Sequence, residues 1–114
     1  MKLTHMVKDG ICVIAITGNL ALSENQELEN YLSPLIHADE VKHVLLNFSH
    51  VNLIDSRGVG LIAGSFQDLE GLDKTLSLCG LNENCLNVLK ALKLDKIIDI
   101  FESEDEALAK VAEA

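Results

Sequence analysis

The stretch that decides the fold runs from His43-Val44-Leu45-Leu46-Asn47-Phe48 into Asp55-Ser56-Arg57-Gly58-Val59-Gly60-Leu61-Ile62. Its first part is a nearly unbroken apolar run, rich in residues that suit a strand buried on two faces. From Ser56 the period changes. Val59, Ile62, Ala63, Phe66 and Leu69 form a stripe at helical spacing, which predicts a helix from Ser56 to about Leu72 with Asp55 as its N-cap. A strand feeding directly into a capped helix start concentrates free backbone N–H groups and the positive end of the dipole beside Ser56, so a phosphate there would be electrostatically favoured. The plainer reading makes Asp55 a cap and Ser56 an ordinary first-turn residue. Gly58, Gly60 and Gly64 each weaken the helix by roughly 1 kcal/mol relative to alanine. Such a pattern calls for close approach, either by the chain's own sheet or by another molecule.

Working outward, the same alternation recurs. Toward the amino terminus, Asp9-Gly10 is a hairpin dipeptide between Leu3–Lys8 and the apolar run Ile11–Ile16, which reads as a strand buried on both faces. Ser23-Glu24-Asn25-Gln26 has the spacing of a capping box. Leu28, Tyr31, Leu32, Leu35 and Ile36 then make one stripe on a helix to about His37, with a kink or break predicted near Ser33 because of Pro34. Toward the carboxyl terminus, Gly71 to Lys74 reads as a turn and Thr75–Cys79 as a strand. Asn82 or Asn84 can cap a helix carrying Cys85, Leu86, Leu89 and Leu92 inward, Ile97–Phe101 is a short strand candidate, and Ser103-Glu104-Asp105-Glu106 is a second capping box before a helix anchored by Leu108 and Val111. Strands alternating with helices at this pitch imply an α/β fold: a mixed, mostly parallel central sheet of four or five strands, an N-terminal hairpin and about four helices packed on it. In such sheets functional groups gather beyond the carboxyl ends of the strands, where Asp55 and Ser56 fall.

The totals exclude several classes of function. A chain of 114 residues with 48% apolar content makes one domain, 1–114, able to fold without metal or crosslinks. Nine basic against eighteen acidic residues give a formal charge of −9, which disfavours nucleic acid and anionic membranes and favours a partner with a basic face. No apolar run approaches the roughly 20 residues of a membrane-spanning helix, and the amino terminus lacks a signal-peptide block, so the chain reads as cytoplasmic. Cys12, Cys79 and Cys85 have no C-x-x-C spacing, and His5, His37, His43 and His50 are scattered as surface or strand-end residues. No metal, cofactor or catalytic triad is expected.

The sequence resembles the STAS domains, within them the free-standing anti-sigma-factor antagonists. The likeness rests on Thr17-Gly18, Val44-Leu45-Leu46-Asn47, the Asp55-Ser56-Arg57-Gly58-Val59-Gly60 core, Leu94-Asp95-Lys96-Ile97-Ile98 and Glu102-Ser103-Glu104-Asp105-Glu106-Ala107-Leu108. The resemblance implies a non-enzymatic switch. Ser56 would be phosphorylated by a serine kinase of the GHKL type and reset by a PP2C-type phosphatase, and only the unmodified form would bind its target. It also implies that Asp55, Ser56, Arg57, Gly58, Gly60 and Asn19 meet the partner. The output would be a sigma factor or, as for some members, biofilm formation. Two departures stand out. Arg57 replaces the family's usual Ser, Thr or Ala, and Ala21 stands where an acidic residue often ends the hairpin. A nucleotide binder using the Gly-rich helix start, although no G-x-x-x-x-G-K-[ST] motif is present, and a non-switching scaffold are the alternative readings.

Overall fold

The computed structural model describes residues 1–112. In chain order the elements are β1 (Lys2–Lys8), β2 (Ile11–Thr17), α1 (Glu24–Ile36), β3 (His43–His50), α2 (Ser56–Gly71), β4 (Thr75–Cys79), α3 (Glu83–Ala91), a 3₁₀ turn (Leu94–Lys96), β5 (Asp99–Phe101) and α4 (Glu104–Ala112). The strands form a five-stranded sheet in the order β1-β2-β3-β4-β5. Only the β1–β2 pair is antiparallel, closed by Asp9 and Gly10 with φ of 53° and 82°, as a tight hairpin turn demands. The pairs β2–β3, β3–β4 and β4–β5 are parallel. The mixed sheet with four helices is therefore as the residue pattern implies.

Two unequal layers cover this sheet. Leu28, Leu32 and Ile36 of α1, Val59, Ile62 and Leu69 of α2, and Cys85 and Leu89 of α3 pack on one face against Cys12, Ile14, Ile16, Val44, Leu46, Phe48, Leu76 and Leu78. On the other face α4 stands alone, with Ala107 fully buried over Leu45 and Cys79 and with Val13, Phe101 and Leu108 partly buried around them. This asymmetry corrects the reading of β2 as buried on both faces. Cys12, Ile14 and Ile16 are buried, whereas Ile11, Val13 and Ala15 are only half covered, because α4 lies over β3 and β4 and stops short of the hairpin.

Several local expectations also change. Ser23 makes no capping bond to α1 and has helical dihedrals itself; the first N–H groups are taken by a preceding turn, with Glu24 donating to Ala21 at 3.2 Å and Asn25 to Leu22 at 3.2 Å. Pro34 does not break α1, which continues two residues further to Ile36. Both Pro34 and Asn30, whose carbonyl loses its helical donor, are exposed, so water can serve that carbonyl. The Lys74 ammonium then caps the end of α1, donating to the carbonyls of Ile36 at 2.7 Å and Ala38 at 2.8 Å. Asn82, rather than Asn84, caps α3 through the Cys85 N–H at 2.8 Å, and Leu92 ends up exposed at the helix terminus instead of facing inward. The last strand is shorter than Ile97–Phe101, since Ile97 follows the 3₁₀ turn and is exposed. The second capping box does form its hydroxyl bond, from the Glu106 N–H to Ser103 Oγ at 3.1 Å.

Candidate functional site at the carboxyl edge of the sheet

Three loops leave the carboxyl ends of β2, β3 and β4, and backbone bonds join the first two. Gly18 donates to the His50 carbonyl at 3.1 Å, Leu20 to Leu53 at 3.0 Å and Asp55 to Leu20 at 3.0 Å, so Leu20 and Ile54 form a parallel bridge beyond the regular strands. From the third loop, Asn82 Nδ2 donates to the Asn52 carbonyl at 3.0 Å. Gly80, at φ 73°, lies so close to Ser49 that a Cβ there would be 2.4 Å from Ser49 Oγ. Backbone pairing thus continues from the first loop into the second, and the Asn82 side chain ties the third loop to them.

Asp55 is the junction of this edge. Its Oδ1 accepts from the Gly58 N–H at 2.8 Å, as an N-cap should, and also from Asn25 Nδ2 at 3.0 Å. Its Oδ2 accepts from the Leu22 N–H at 3.1 Å. One carboxylate thus caps α2 and ties its start to the turn that leads into α1. These donors, the Gly58 N–H foremost, then Asn25 and Leu22, hold the Asp55 carboxyl below the usual carboxylate range, so it is ionised at neutral pH.

Ser56 and Arg57 are exposed on the first turn of α2, and Gly60 lies exposed one turn on. The glycines divide into two kinds. A Cβ at Gly58 would sit 2.7 Å from the Leu20 carbonyl oxygen and 2.8 Å from Ile54 Cγ2, so this buried glycine serves packing within the chain. At Gly60 and Gly64 a Cβ would meet nothing within 4 Å. The fold itself has no use for the missing side chains there. Both line a groove of about 510 Å³ between α1 and α2, together with Arg57, Leu61, Asn25 and Glu29. Asn19 is half-buried in the first loop, and its Oδ1 is enclosed without a hydrogen-bond partner among the described residues. The structure therefore gathers Asp55, Ser56, Arg57 and Gly60 on one outward surface, sets Gly58 beneath it and turns part of Asn19 inward.

Three residues at this edge escaped the sequence reading. Asn25, within the supposed capping box, is 92% buried as the partner of Asp55, a role that only the folded loop creates. Leu22 and Leu53 are large apolar side chains exposed on the first two loops, at 76% and 46%. No periodicity marks them, because neither lies in a helix or a strand.

Burial raises the thiols of Cys12, Cys79 and Cys85, with Glu104 adding to the effect at Cys79, which is pushed up to about 11. All three are free, buried and poor nucleophiles. Among the described residues no helix is long and apolar enough to cross a membrane, and no cluster of three or more His, Cys, Asp or Glu is placed to hold a metal ion.

The fold finds its counterpart in known proteins. The family model of the STAS domain matches residues 3–107, and the chain belongs to that family. The anti-sigma F factor antagonist of Paenibacillus polymyxa is 22% identical over 102 residues, spanning 90% of this chain and 87% of its own. Among solved structures, the anti-sigma factor antagonist SpoIIAA in its unphosphorylated form superposes with a TM-score of 0.85 at 24% identity, covering 99% of this chain and 98% of its own. The Bacillus cell fate determinant SpoIIAA in its phosphorylated form gives a TM-score of 0.77 at 24% identity over 96% and 99% of the two chains.

Proposed function

We propose that this chain, residues 1–114 acting as one cytoplasmic domain, is a phosphorylation-gated protein-binding regulator of a bacterial partner-switching pathway, with Ser56 as its acceptor. The unmodified protein binds its target, a GHKL-type serine kinase with anti-sigma-like character. Phosphorylation by that kinase releases it, a PP2C-type phosphatase resets it, and the output is sigma-factor activity or biofilm formation. No cofactor enters this scheme.

The observation that carries the reading is an exposed serine on the first turn of α2, next to an ionised carboxylate that already takes the Gly58 N–H. A helix start with free N–H groups would welcome a phosphate. Here Asp55 has taken the Gly58 N–H and is negative, so a phosphoserine adds roughly −1.5 to −2 charges beside an existing one. On a chain of net charge −9 with acidic first-turn residues Glu24 and Glu27 on α1, the partner surface that fits is basic. Adding the phosphate changes the local charge abruptly and burdens the interface with a strongly hydrated group. Gly60 leaves room for close approach one turn along, and Arg57 is placed to contact either the phosphate or the partner.

The test is a phosphorylation and binding series. Incubation with the kinase and ATP adds a single phosphate to the wild-type chain and none to Ser56→Ala; phosphate on the alanine variant would reject the site. As baits, Ser56→Ala retains the kinase and Ser56→Asp binds it at least about tenfold more weakly. Equal affinity of the two variants would remove the gate and favour a non-switching scaffold.

A further inference from the structure

Leu22 combines two unfavourable features that folding does not require. Its side chain is 76% exposed, and its backbone lies at φ 56°, in the left-handed region that a branched apolar residue rarely adopts. Three other non-glycine residues have positive φ, namely Asp9, Asp73 and Lys93, all polar and all in turns or at element ends. Leu22 is the apolar one. Nothing in the turn asks for leucine: its N–H donates to Asp55 Oδ2 at 3.1 Å and its carbonyl accepts from Asn25 at 3.2 Å, both backbone roles that asparagine or glycine fills with less strain. The side chain takes no part in either apolar cluster.

The place of the residue is as telling as its conformation. Through Oδ2 of Asp55 it is fixed to the residue that caps the helix bearing Ser56, and it lines the same α1–α2 groove as Arg57 and Gly60. Leu53, also exposed, lies on the adjoining loop, whose carbonyl receives the Leu20 N–H. Leu22 stands just before the first turn of α1, which carries Glu24, paired with the Met1 ammonium at 3.5 Å, and Glu27.

We propose that Leu22 is the apolar anchor of the partner interface, held outward by Asp55, and that it seats in an apolar socket with a basic rim on the Ser56 kinase. The proposal rests on the reading of Ser56 as the gate and adds the residue that provides the apolar contact. Anchors of this kind are large side chains near the centre of an interface, surrounded by polar groups that exclude water. The acidic residues next to Leu22, namely Asp55, which holds its N–H, and Glu24 and Glu27 in the first turn of α1, set the charge of its counterpart. Asp55 has two tasks here: it caps α2, and through the Leu22 N–H it keeps the anchor in its strained, outward conformation.

The experiment compares Leu22→Asn, Met6→Gln and Ser56→Asp with the wild type, using the purified kinase that phosphorylates Ser56 as the probe, and records each variant's thermal midpoint. Met6 is 71% exposed on β1, away from this edge, and serves as the control for loss of surface apolarity. Leu22→Asn lowers affinity for the kinase at least about tenfold, while its thermal midpoint is unchanged or raised, since asparagine accepts the left-handed region. Met6→Gln binds as the wild type does. Retained affinity in Leu22→Asn alongside lost affinity in Ser56→Asp overturns the anchor and leaves the gate standing. Undiminished binding by Ser56→Asp removes the gate, and with it the interface to which the anchor belongs. A thermal midpoint lowered by more than about 5 °C in Leu22→Asn overturns the anchor by giving the side chain a packing role. So does an equal loss of affinity in Met6→Gln, which would make the effect one of general surface apolarity.

Discussion

His43 shows how a single side chain records its surroundings. It opens β3, is buried, and has both ring nitrogens engaged, Nδ1 with Thr75 Oγ1 at 2.6 Å and Nε2 with Ser77 Oγ at 2.7 Å. Burial holds its pKa below the ordinary 6.5, with the negative charge of Asp99 opposing that shift in part. The unfolded chain therefore takes up this proton at a higher pH than the folded one. Stability from His43 is complete above about 6.5 and is lost as the pH falls below that value toward the folded pKa. Thermal melts at pH 7 and pH 5 should show a larger drop for the wild type than for His43→Gln; equal drops would mean that the histidine is not held neutral. Nothing in the sequence distinguished this histidine from the other three, because its hydroxyl partners come from a strand more than thirty residues away. Asp55 is the opposite case. Its capping role is legible from the helix pattern that follows it, but its bonds to Leu22 and Asn25 appear only once the loops are joined.

At the scale of an element, Gly58, Gly60 and Gly64 of α2 separate two uses of the same residue. Gly58 has no room for a methyl group between the Leu20 carbonyl and Ile54, so Gly58→Ala should destabilise the fold by about 1–3 kcal/mol through overpacking. Gly60 and Gly64 face open space in mid-helix, so alanine at either should stabilise it by about 0.5–1 kcal/mol. Denaturant titration of the three variants checks both signs. If Gly60→Ala stabilises the isolated chain yet weakens kinase binding, the groove that Gly60 lines belongs to the partner. The sequence showed that the glycines needed a reason and left open which neighbour supplied it. Helix positions were legible from period and caps, and α1 starts at Glu24 as the Ser23-Glu24-Asn25-Gln26 pattern implies, but its first N–H groups bond back to Ala21 and Leu22 instead of to the Ser23 hydroxyl.

Across the whole molecule the charge is the dominant long-range property. A net charge of −9 directs encounter with a basic surface, and exposed charges are screened over about 10 Å at 0.1 M salt. Raising the salt from about 50 to 500 mM should slow association with the kinase by about tenfold, with a smaller effect on dissociation, as read in stopped-flow traces. An association rate independent of salt would contradict a basic partner face. The layering of the sheet is also a whole-molecule result. With three helices on one face and α4 alone on the other, the hairpin's outer surface is left half covered, although its apolar run reads as fully buried.

The sequence by itself determined the alternation of strands and helices, the hairpin turn, the capped start of α2 and the position of Ser56 beyond a strand end. These follow from local period, turn chemistry and capping, which act within a few residues of the chain. Only the tertiary structure decided that the loops after β2 and β3 pair as an extension of the sheet, that Asp55 ties the start of α2 to the turn before α1, that Gly58 packs inward while Gly60 opens outward, and that Leu22 is left strained and exposed. Each of these depends on groups distant in sequence meeting at one edge, and a hydrogen bond or a steric contact exists only at the distance that the completed fold sets.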